Sequence, residues 1–101
     1  MTDNRYEEGI RIRREVMGDD FVDAALDRNA GTDGEELQHH ITATVWGSVW
    51  TRDGLPKRDR SLLNIGMLVA LRATEELRGH VRGGLANGLT REEITEAIIH
   101  A

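Results

Sequence analysis

The chain has 101 residues, of which 39% are apolar and 31% charged, and its 13 basic and 18 acidic side chains give a net charge of −5. This balance argues against the basic surface that nucleic-acid binding requires, and a sequence without cysteine excludes disulfides, thiolate nucleophiles and cysteine-ligated zinc. The longest apolar run, residues 62–71, is far shorter than the ~20 residues of a membrane span. We therefore expect a single domain, residues 1–101, in a cytoplasmic protein with no membrane or nucleic-acid partner.

The first half of the chain shows helical periodicity, and no segment alternates apolar and polar residues as a half-buried strand does. The pattern predicts a first helix over residues 3–17 and a short second helix over residues 21–26. Arg11, Arg13 and Arg14 lie among glutamates in the first helix. This mixture predicts a solvated helix face.

A third helix is predicted to begin at Thr32, because Glu35 follows at capping-box spacing. It ends at the turn formed by residues 52–54. The residues that the periodicity directs toward the core are Leu37, Ile41, Val45 and Val49.

The second half predicts three further helices. The central one, over residues 58–71, is apolar nearly all round, so we expect it to be buried. Thr74 is expected to cap a fifth helix that stops at Asn87-Gly88. Thr90 and Glu93 form a second capping box that opens the last helix.

The last helix carries Ile94, Ile98 and Ile99 in phase and shows no signal for its end. Its apolar face predicts either a partner chain that covers it or a further segment. Self-association is also favoured because so small a domain buries a small share of its surface.

His80 is the candidate acid or base, because the pKa of an unperturbed histidine lies near neutrality. Glu76, one turn earlier, could hold its imidazole or could pair with a surface cation. The alternative for His80 is a helix histidine satisfied by a carbonyl or by water. The adjacent His39 and His40 cannot face one way on a helix, so the sequence predicts no metal site.

Arg60 lies at the start of the central helix and could bind a carboxylate through two parallel hydrogen bonds, or could pair with Asp59. Trp46 and Trp50 share a helix face and could form core or the wall of a substrate site. Arg52 follows them directly and could project into the same space.

These residues belong to segments that resemble the gamma-carboxymuconolactone decarboxylases over nearly the whole chain. The segments are Arg5-Tyr6-Glu7-Glu8-Gly9, Trp46-Gly47, Trp50-Thr51-Arg52-Asp53-Gly54-Leu55, Arg60-Ser61-Leu62, Glu76-Leu77, His80-Val81-Arg82 and Asn87-Gly88-Leu89-Thr90. The resemblance implies an all-α, alkylhydroperoxidase-like bundle of about six helices. The peroxidases of that wider group carry a CxxCxxxH motif whose histidine matches His80. Glu76 and Ala73 stand where the cysteines would be, and Ser61 stands at the upstream glutamate, so peroxidase activity is excluded.

The resemblance implies decarboxylation of 4-carboxymuconolactone to 3-oxoadipate enol-lactone, in protocatechuate breakdown. The electrons of the broken bond enter the lactone carbonyl, so the reaction needs no cofactor or metal. Arg60 and His80 are the expected catalytic residues, with Trp46, Trp50, Arg52 and Glu76 around the substrate. His80 would deliver the proton, Arg60 would bind a carboxylate or the lactone oxygen, and Trp46 would exclude water from the departing carboxylate.

The resemblance also implies a homo-oligomer of trimer-based symmetry, with the hexamer as the expected form. Family members continue with a turn and a further helix beyond the position of Ala101, so a C-terminal helix is expected to be missing here. Two alternatives stay open. The protein could act on another small lactone or keto acid, or it could be a truncated or degenerate member that only oligomerises.

Overall fold

The computed structural model describes residues 3–101, and the regular structure of that part is entirely helical. The six α-helices are α1 (Arg5–Met17), α2 (Asp19–Asn29), α3 (Gly34–Ile41), α4 (Lys57–Ala70), α5 (Thr74–Ala86) and α6 (Arg91–His100). A π-helical turn, Thr42–Trp46, continues α3. The all-α class with about six helices is thus confirmed. Among residues 3–101, no helix combines the length and the apolar character that a bilayer span requires.

Contacts divide the chain into two compact units, residues 1–53 and residues 54–101. Each unit has an apolar core of its own. The expectation of one domain over residues 1–101 stays a prediction.

The core of the N-terminal unit forms between α1, α2 and the segment that follows α3. Its buried members are Ile12, Val16, Met17, Val22, Trp46 and Trp50. The two indole rings stack with centroids 4.7 Å apart and planes inclined by 26°. Their shared helix face is confirmed, and both side chains are core residues of this unit.

Glycines let α1 approach the π-helical turn closely. A Cβ added at Gly9 would lie 2.1 Å from the carbonyl oxygen of Thr42, and one added at Gly47 would lie 2.1 Å from that of Arg5. Arg13, one turn after Gly9, is buried and donates from Nη1 to Thr42 Oγ1 at 3.1 Å. The prediction of a solvated face is therefore wrong for Arg13, because its side chain points toward this contact.

The third helix differs from its prediction in two ways. Leu37, Val45 and Val49 are exposed, and the buried stripe lies one position later along the chain, at Thr42, Trp46 and Trp50. The buried stripe is the one that faces α1, since Gly9 lies against the Thr42 carbonyl and Arg13 donates to Thr42 Oγ1.

The capping box predicted at Thr32 is also absent. Thr32 Oγ1 accepts from the Gly34 N–H at 3.1 Å, whereas the carboxylate of Glu35 accepts from the Gly31 N–H at 2.7 Å. The two groups thus stabilise the turn before α3, and α3 begins two residues after Thr32.

In the C-terminal unit, α4 and α5 form a helical hairpin joined by residues 71–73, and α6 packs against α4. Its buried core consists of Ile65, Leu89 and Ile94. The capping box of Thr90 and Glu93 at the start of α6 is confirmed, with both hydrogen bonds formed. The predicted cap at Thr74 is wrong, because Thr74 lies inside α5 and its side chain makes no cap hydrogen bond.

The central helix α4 is less buried than its composition predicts. Only Ser61 and Ile65 are buried along its length. Leu63 and Met67 are 56% and 46% exposed, and Leu71, which follows the helix, is 74% exposed. Full burial is therefore wrong for this chain on its own, since only α5 and α6 pack against α4 within the unit.

Candidate functional site

The residues that the sequence singles out are distributed over both units. Trp46, Trp50 and Arg52 belong to the N-terminal unit, whereas Arg60, Glu76 and His80 belong to the C-terminal unit. Arg60, Glu76 and His80 therefore lie on the hairpin of α4 and α5, whereas Arg52 belongs to the other unit.

His80 is held on the face of α5 that is directed inward. Its side chain is 8% exposed, whereas Arg82, two positions further, is exposed. Gly79, Gly83 and Gly84 are buried beside it, and a Cβ at Gly84 would lie 3.3 Å from Ile65 Cδ1. The glycine face therefore allows α5 to pack closely on α4.

The surroundings of His80 favour its neutral form. Burial lowers the pKa of His80 below its ordinary value of 6.5, and the negative charge of Glu76 raises that pKa by a smaller amount. Glu76 itself is exposed. It acts on His80 through its charge, in the sense that would stabilise an imidazolium.

Arg60 is half-buried in the first turn of α4. Its Nε–H donates to the carbonyl oxygen of Leu55 at 3.1 Å, which fixes the direction in which the guanidinium leaves the helix. The neighbouring Arg58 pairs with Asp59, at 3.1 Å. Arg58 also pairs with the carboxylate of Glu93 on α6.

The ion pair of Arg58 and Glu93 fastens α4 to the capping box of α6. Hydrogen bonds from the Arg58 guanidinium and from the backbone of Thr90 lower the pKa of Glu93 to about 2. The sequence does not predict this pair, because 35 residues separate its members. Because the pair lies at the surface and joins two helices, we assign it a structural role.

A polar contact between α4 and the end of α5 also escapes prediction from the sequence. Asn87 Nδ2 donates to Ser61 Oγ at 3.1 Å, and Ser61 is fully buried. Ser61 is adjacent to Arg60, and Asn87 lies seven residues after His80. The only signal in the sequence is the helix stop at Asn87-Gly88, which does not indicate the partner of its side chain.

A groove of about 640 Å³ runs along α4 and α6 in the same unit. Its wall is apolar and includes Leu62, Leu63, Met67 and Ala97, with Asp59 at its edge. Neither Arg60 nor His80 lines it. Because a dianion requires cationic partners, we interpret this groove as a packing surface rather than a substrate site.

Residues 35–101 match the model of the carboxymuconolactone decarboxylase family. The chain belongs to this family.

Two characterised relatives are similar along nearly the whole chain. A nitrosuccinic acid decarboxylase of Metarhizium robertsii is 44% identical over 96 residues, which cover 95% of this chain and 66% of the relative. A 4-carboxymuconolactone decarboxylase of Acinetobacter baylyi is 40% identical over 98 residues, which cover 97% of this chain and 72% of the relative. The chain thus spans about two thirds of the length of these relatives. The relatives share decarboxylation and differ in substrate.

Proposed function

We propose that this protein is a cofactor-independent decarboxylase of small dicarboxylates, with 4-carboxymuconolactone as substrate and 3-oxoadipate enol-lactone as product. The observation that carries the proposal is the α4–α5 hairpin, which holds a buried histidine and a half-buried, oriented arginine. A buried imidazole and a guanidinium are the two groups that decarboxylation of a dianion requires: one to carry a proton and one to bind negative charge.

The reaction needs little covalent help from the protein. When the C–CO₂⁻ bond breaks, its electron pair moves through the ring double bond to the lactone carbonyl oxygen, giving a 2-oxyfuran-like dienolate. Arg60 binds either the remaining carboxylate or this oxyanion, so its interaction with the developing charge stabilises the transition state. A proton then reaches the ring carbon, and CO₂ leaves.

His80 is the proposed proton donor, and its burial determines when it can act. In the free protein its lowered pKa keeps it largely neutral at pH 7. A bound dianion raises the pKa of a nearby imidazole, so His80 takes up a proton from solvent as the substrate binds. Protonation and substrate binding are therefore coupled.

This coupling predicts different pH profiles for the two kinetic constants. The pH dependence of kcat/KM reports the free protein, whereas that of kcat reports the complex. We expect kcat/KM to fall as pH rises through a pKa below 6.5, and kcat to fall only at higher pH. Profiles that are both flat would contradict the role of His80.

The direct test is turnover of 4-carboxymuconolactone, followed by NMR as substrate disappears and enol-lactone forms. His80→Gln should keep its helix content and lose about 100-fold in kcat, in the range for a general acid. Arg60→Ala should raise KM if Arg60 binds the remaining carboxylate, and should lower kcat if it binds the oxyanion. Full turnover by His80→Gln would refute the mechanism, and a wild-type protein without turnover would refute the substrate.

Nitrosuccinate is the second candidate substrate, favoured by the 44% identity to the Metarhizium robertsii enzyme. Its chemistry makes the same demands, because the electron pair released with CO₂ enters the nitro group and gives a nitronate. It is also a dianion and also carries its own electron sink. The same NMR assay with nitrosuccinate separates the two candidates by their kcat/KM values.

The substrate contacts expected for Trp46, Trp50 and Arg52 stay predictions, as do the cytoplasmic location and the pathway. If neither dianion is turned over, the alternatives are another small lactone or keto acid, or a protein that only assembles.

We also infer that copies of this chain associate. Leu63 and Met67 lie one turn apart on the exposed side of α4, and Ile98 and Ile99 on α6 are 43% and 71% exposed. An apolar surface of this kind is typical of an interface between chains. Sedimentation velocity measures the assembly, for which a trimer-based form is expected, and a monomer at micromolar concentration would contradict the inference.

A further inference from the structure

The contact between Asn87 and Ser61 joins the two helices that carry the proposed catalytic residues. Asn87 Nδ2 donates to Ser61 Oγ at 3.1 Å across 26 residues of sequence. Ser61 is fully buried, so its hydroxyl has little access to water if this donor is lost.

The contact fixes how α4 and α5 are aligned. Ser61 and Ile65 are one turn apart on α4, and the opposite face of the hairpin presents Asn87 and Gly84. The close approach of Gly84 to Ile65, where an added Cβ would lie 3.3 Å from Cδ1, sets the second point of alignment. Two such points leave the helices little freedom to slide.

Asn87 is itself held rigidly. Its backbone N–H donates to the carbonyl oxygens of Gly83 and Gly84 at 2.8 and 3.2 Å. Gly88 adopts φ +105°, and this turn allows the Leu89 N–H to reach the Gly84 oxygen at 2.9 Å. The side chain of Asn87 therefore projects from a fixed helix end.

This alignment separates the two proposed catalytic residues along the hairpin. Arg60 is adjacent to Ser61, whereas His80 precedes Asn87 by seven residues of the same helix. At the helical rise per residue, His80 lies roughly 10 Å along the axis from the level of the contact. The guanidinium and the imidazole can therefore act on different atoms of one substrate, the guanidinium on negative charge and the imidazole as proton donor, as proposed above.

We propose that the hydrogen bond between Asn87 and Ser61 is a positioning contact, which sets the spacing of Arg60 and His80 and thereby how well the guanidinium meets the negative charge of the substrate. This inference rests on the proposed decarboxylase function. It assigns no contact with substrate to Ser61 or Asn87, because both act through the residues that they align.

The kinetic test uses Ser61→Ala and Asn87→Ala in the wild-type and Arg60→Ala backgrounds. In the wild-type background, each change should raise KM about tenfold and alter kcat less than about threefold. In the Arg60→Ala background, neither should raise KM further. An equal increase of KM in both backgrounds would show a merely structural role and overturn the proposal.

A second substrate gives a second kinetic measure. The kcat/KM values for 4-carboxymuconolactone and nitrosuccinate should fall by similar factors in both variants, because both dianions carry their carboxylates on adjacent carbons and need the same spacing of Arg60 and His80. Thr95→Ala is the matched control. It removes a side-chain hydrogen bond to the Arg91 carbonyl in the same unit and should leave both values unchanged.

One measurement does not depend on turnover. In protein labelled with ¹⁵N-arginine, the Arg60 Nε–H should exchange slowly with water, because it donates to Leu55. Ser61→Ala and Asn87→Ala should accelerate this exchange at least about fivefold, whereas Thr95→Ala should not. If the wild type decarboxylates neither dianion, this signal still decides whether the contact positions Arg60, and unchanged exchange would overturn the proposal.

Folding of the variants is controlled by their circular dichroism. Asn87→Ala leaves the buried hydroxyl of Ser61 without its donor, so it is the more disruptive change. Ser61→Ala instead leaves the half-buried amide of Asn87 able to reach water. If Asn87→Ala loses helix content, the kinetic and exchange measurements are interpreted from Ser61→Ala alone.

Discussion

Replacing Gly9 by alanine is expected to destabilise the N-terminal unit by about 2 kcal/mol. The new Cβ would lie 2.1 Å from the Thr42 carbonyl oxygen and 2.9 Å from the Gly47 nitrogen, and both neighbours are backbone atoms. No side chain can rotate away, so α1 must withdraw by roughly 1 Å to restore an ordinary contact. Overpacking of this kind costs up to about 3 kcal/mol, and the higher helix propensity of alanine offsets about 1 kcal/mol.

Gly66→Ala is the matched control for this prediction. Gly66 also lies within a helix, but an added Cβ would meet no atom within 4 Å. The propensity gain should therefore act alone and stabilise the protein by up to about 1 kcal/mol. A comparison of the two variants isolates the effect of the close approach.

Urea unfolding monitored by fluorescence and circular dichroism measures both variants. The chain has two tryptophans, and both are in the N-terminal unit, so fluorescence reports the unit that Gly9→Ala disturbs. For a domain of this size, a loss of 2 kcal/mol lowers Tm by roughly 10 °C. All proteins are compared at a concentration where they assemble alike. If Gly9→Ala proved as stable as Gly66→Ala, the inferred contact between α1 and the Thr42 carbonyl would be refuted.

Three further predictions follow from the C-terminal unit. Burial lowers the pKa of His80 below 6.5, so the unfolded chain binds more protons than the folded chain. The free energy of unfolding should therefore fall as the pH drops below 6.5, and it should fall less in His80→Gln. Equal pH slopes of the two proteins in urea titrations would contradict this prediction. Thr90→Ala should destabilise α6 by about 1 kcal/mol, as measured by thermal unfolding. It should also raise the pKa of Glu93 from about 2. Thr90→Ser is the control and should be nearly neutral. Leu63→Asp together with Met67→Asp should shift the sedimentation coefficient toward the monomer by placing charges in the proposed interface, and an unchanged assembly would locate the interface elsewhere.

Local signals in the sequence predict the number of helices and several of their ends correctly. The capping box of Thr90 and Glu93 forms as expected, because both partners are within one turn and depend on nothing distant. The stop at Asn87-Gly88 is also confirmed, since Gly88 adopts the positive φ that favours glycine. Local signals are not always sufficient, however, because the equally local capping box at Thr32 and the cap at Thr74 do not form.

The remaining errors occur where a distant element decides. The helical period allows several stripes of equal spacing, and the buried one is the stripe that α1 approaches at Thr42. Arg13 reads as a surface residue among glutamates, yet its guanidinium reaches Thr42, 29 residues away. For α4, an apolar composition predicts burial, but the packing partners within the unit cover only part of its surface.

The candidate site shows the same limit more sharply. Arg58 and Arg60 both stand in the first turn of α4 and are equivalent to any local argument. Arg58 pairs with Glu93 on α6, whereas Arg60 is oriented by the carbonyl of Leu55. The local pattern cannot tell these two environments apart, because the partner of Arg58 lies 35 positions away. The catalytic role expected for Arg60 stays a prediction.

Ser61 extends this reasoning to the evolution of the site. The resemblance aligns Ser61 with a glutamate that serves the peroxidases of the wider group, and here the residue is a buried serine that accepts a hydrogen bond from Asn87. A carboxylate is suited to moving protons between thiols, whereas this serine is suited to holding two helices in register. If Ser61→Ala accelerates exchange of the Arg60 Nε–H without changing the pH profile that depends on His80, the residue at this position aligns two helices and takes no part in proton transfer. A changed pH profile would instead mean that Ser61 still participates in proton transfer.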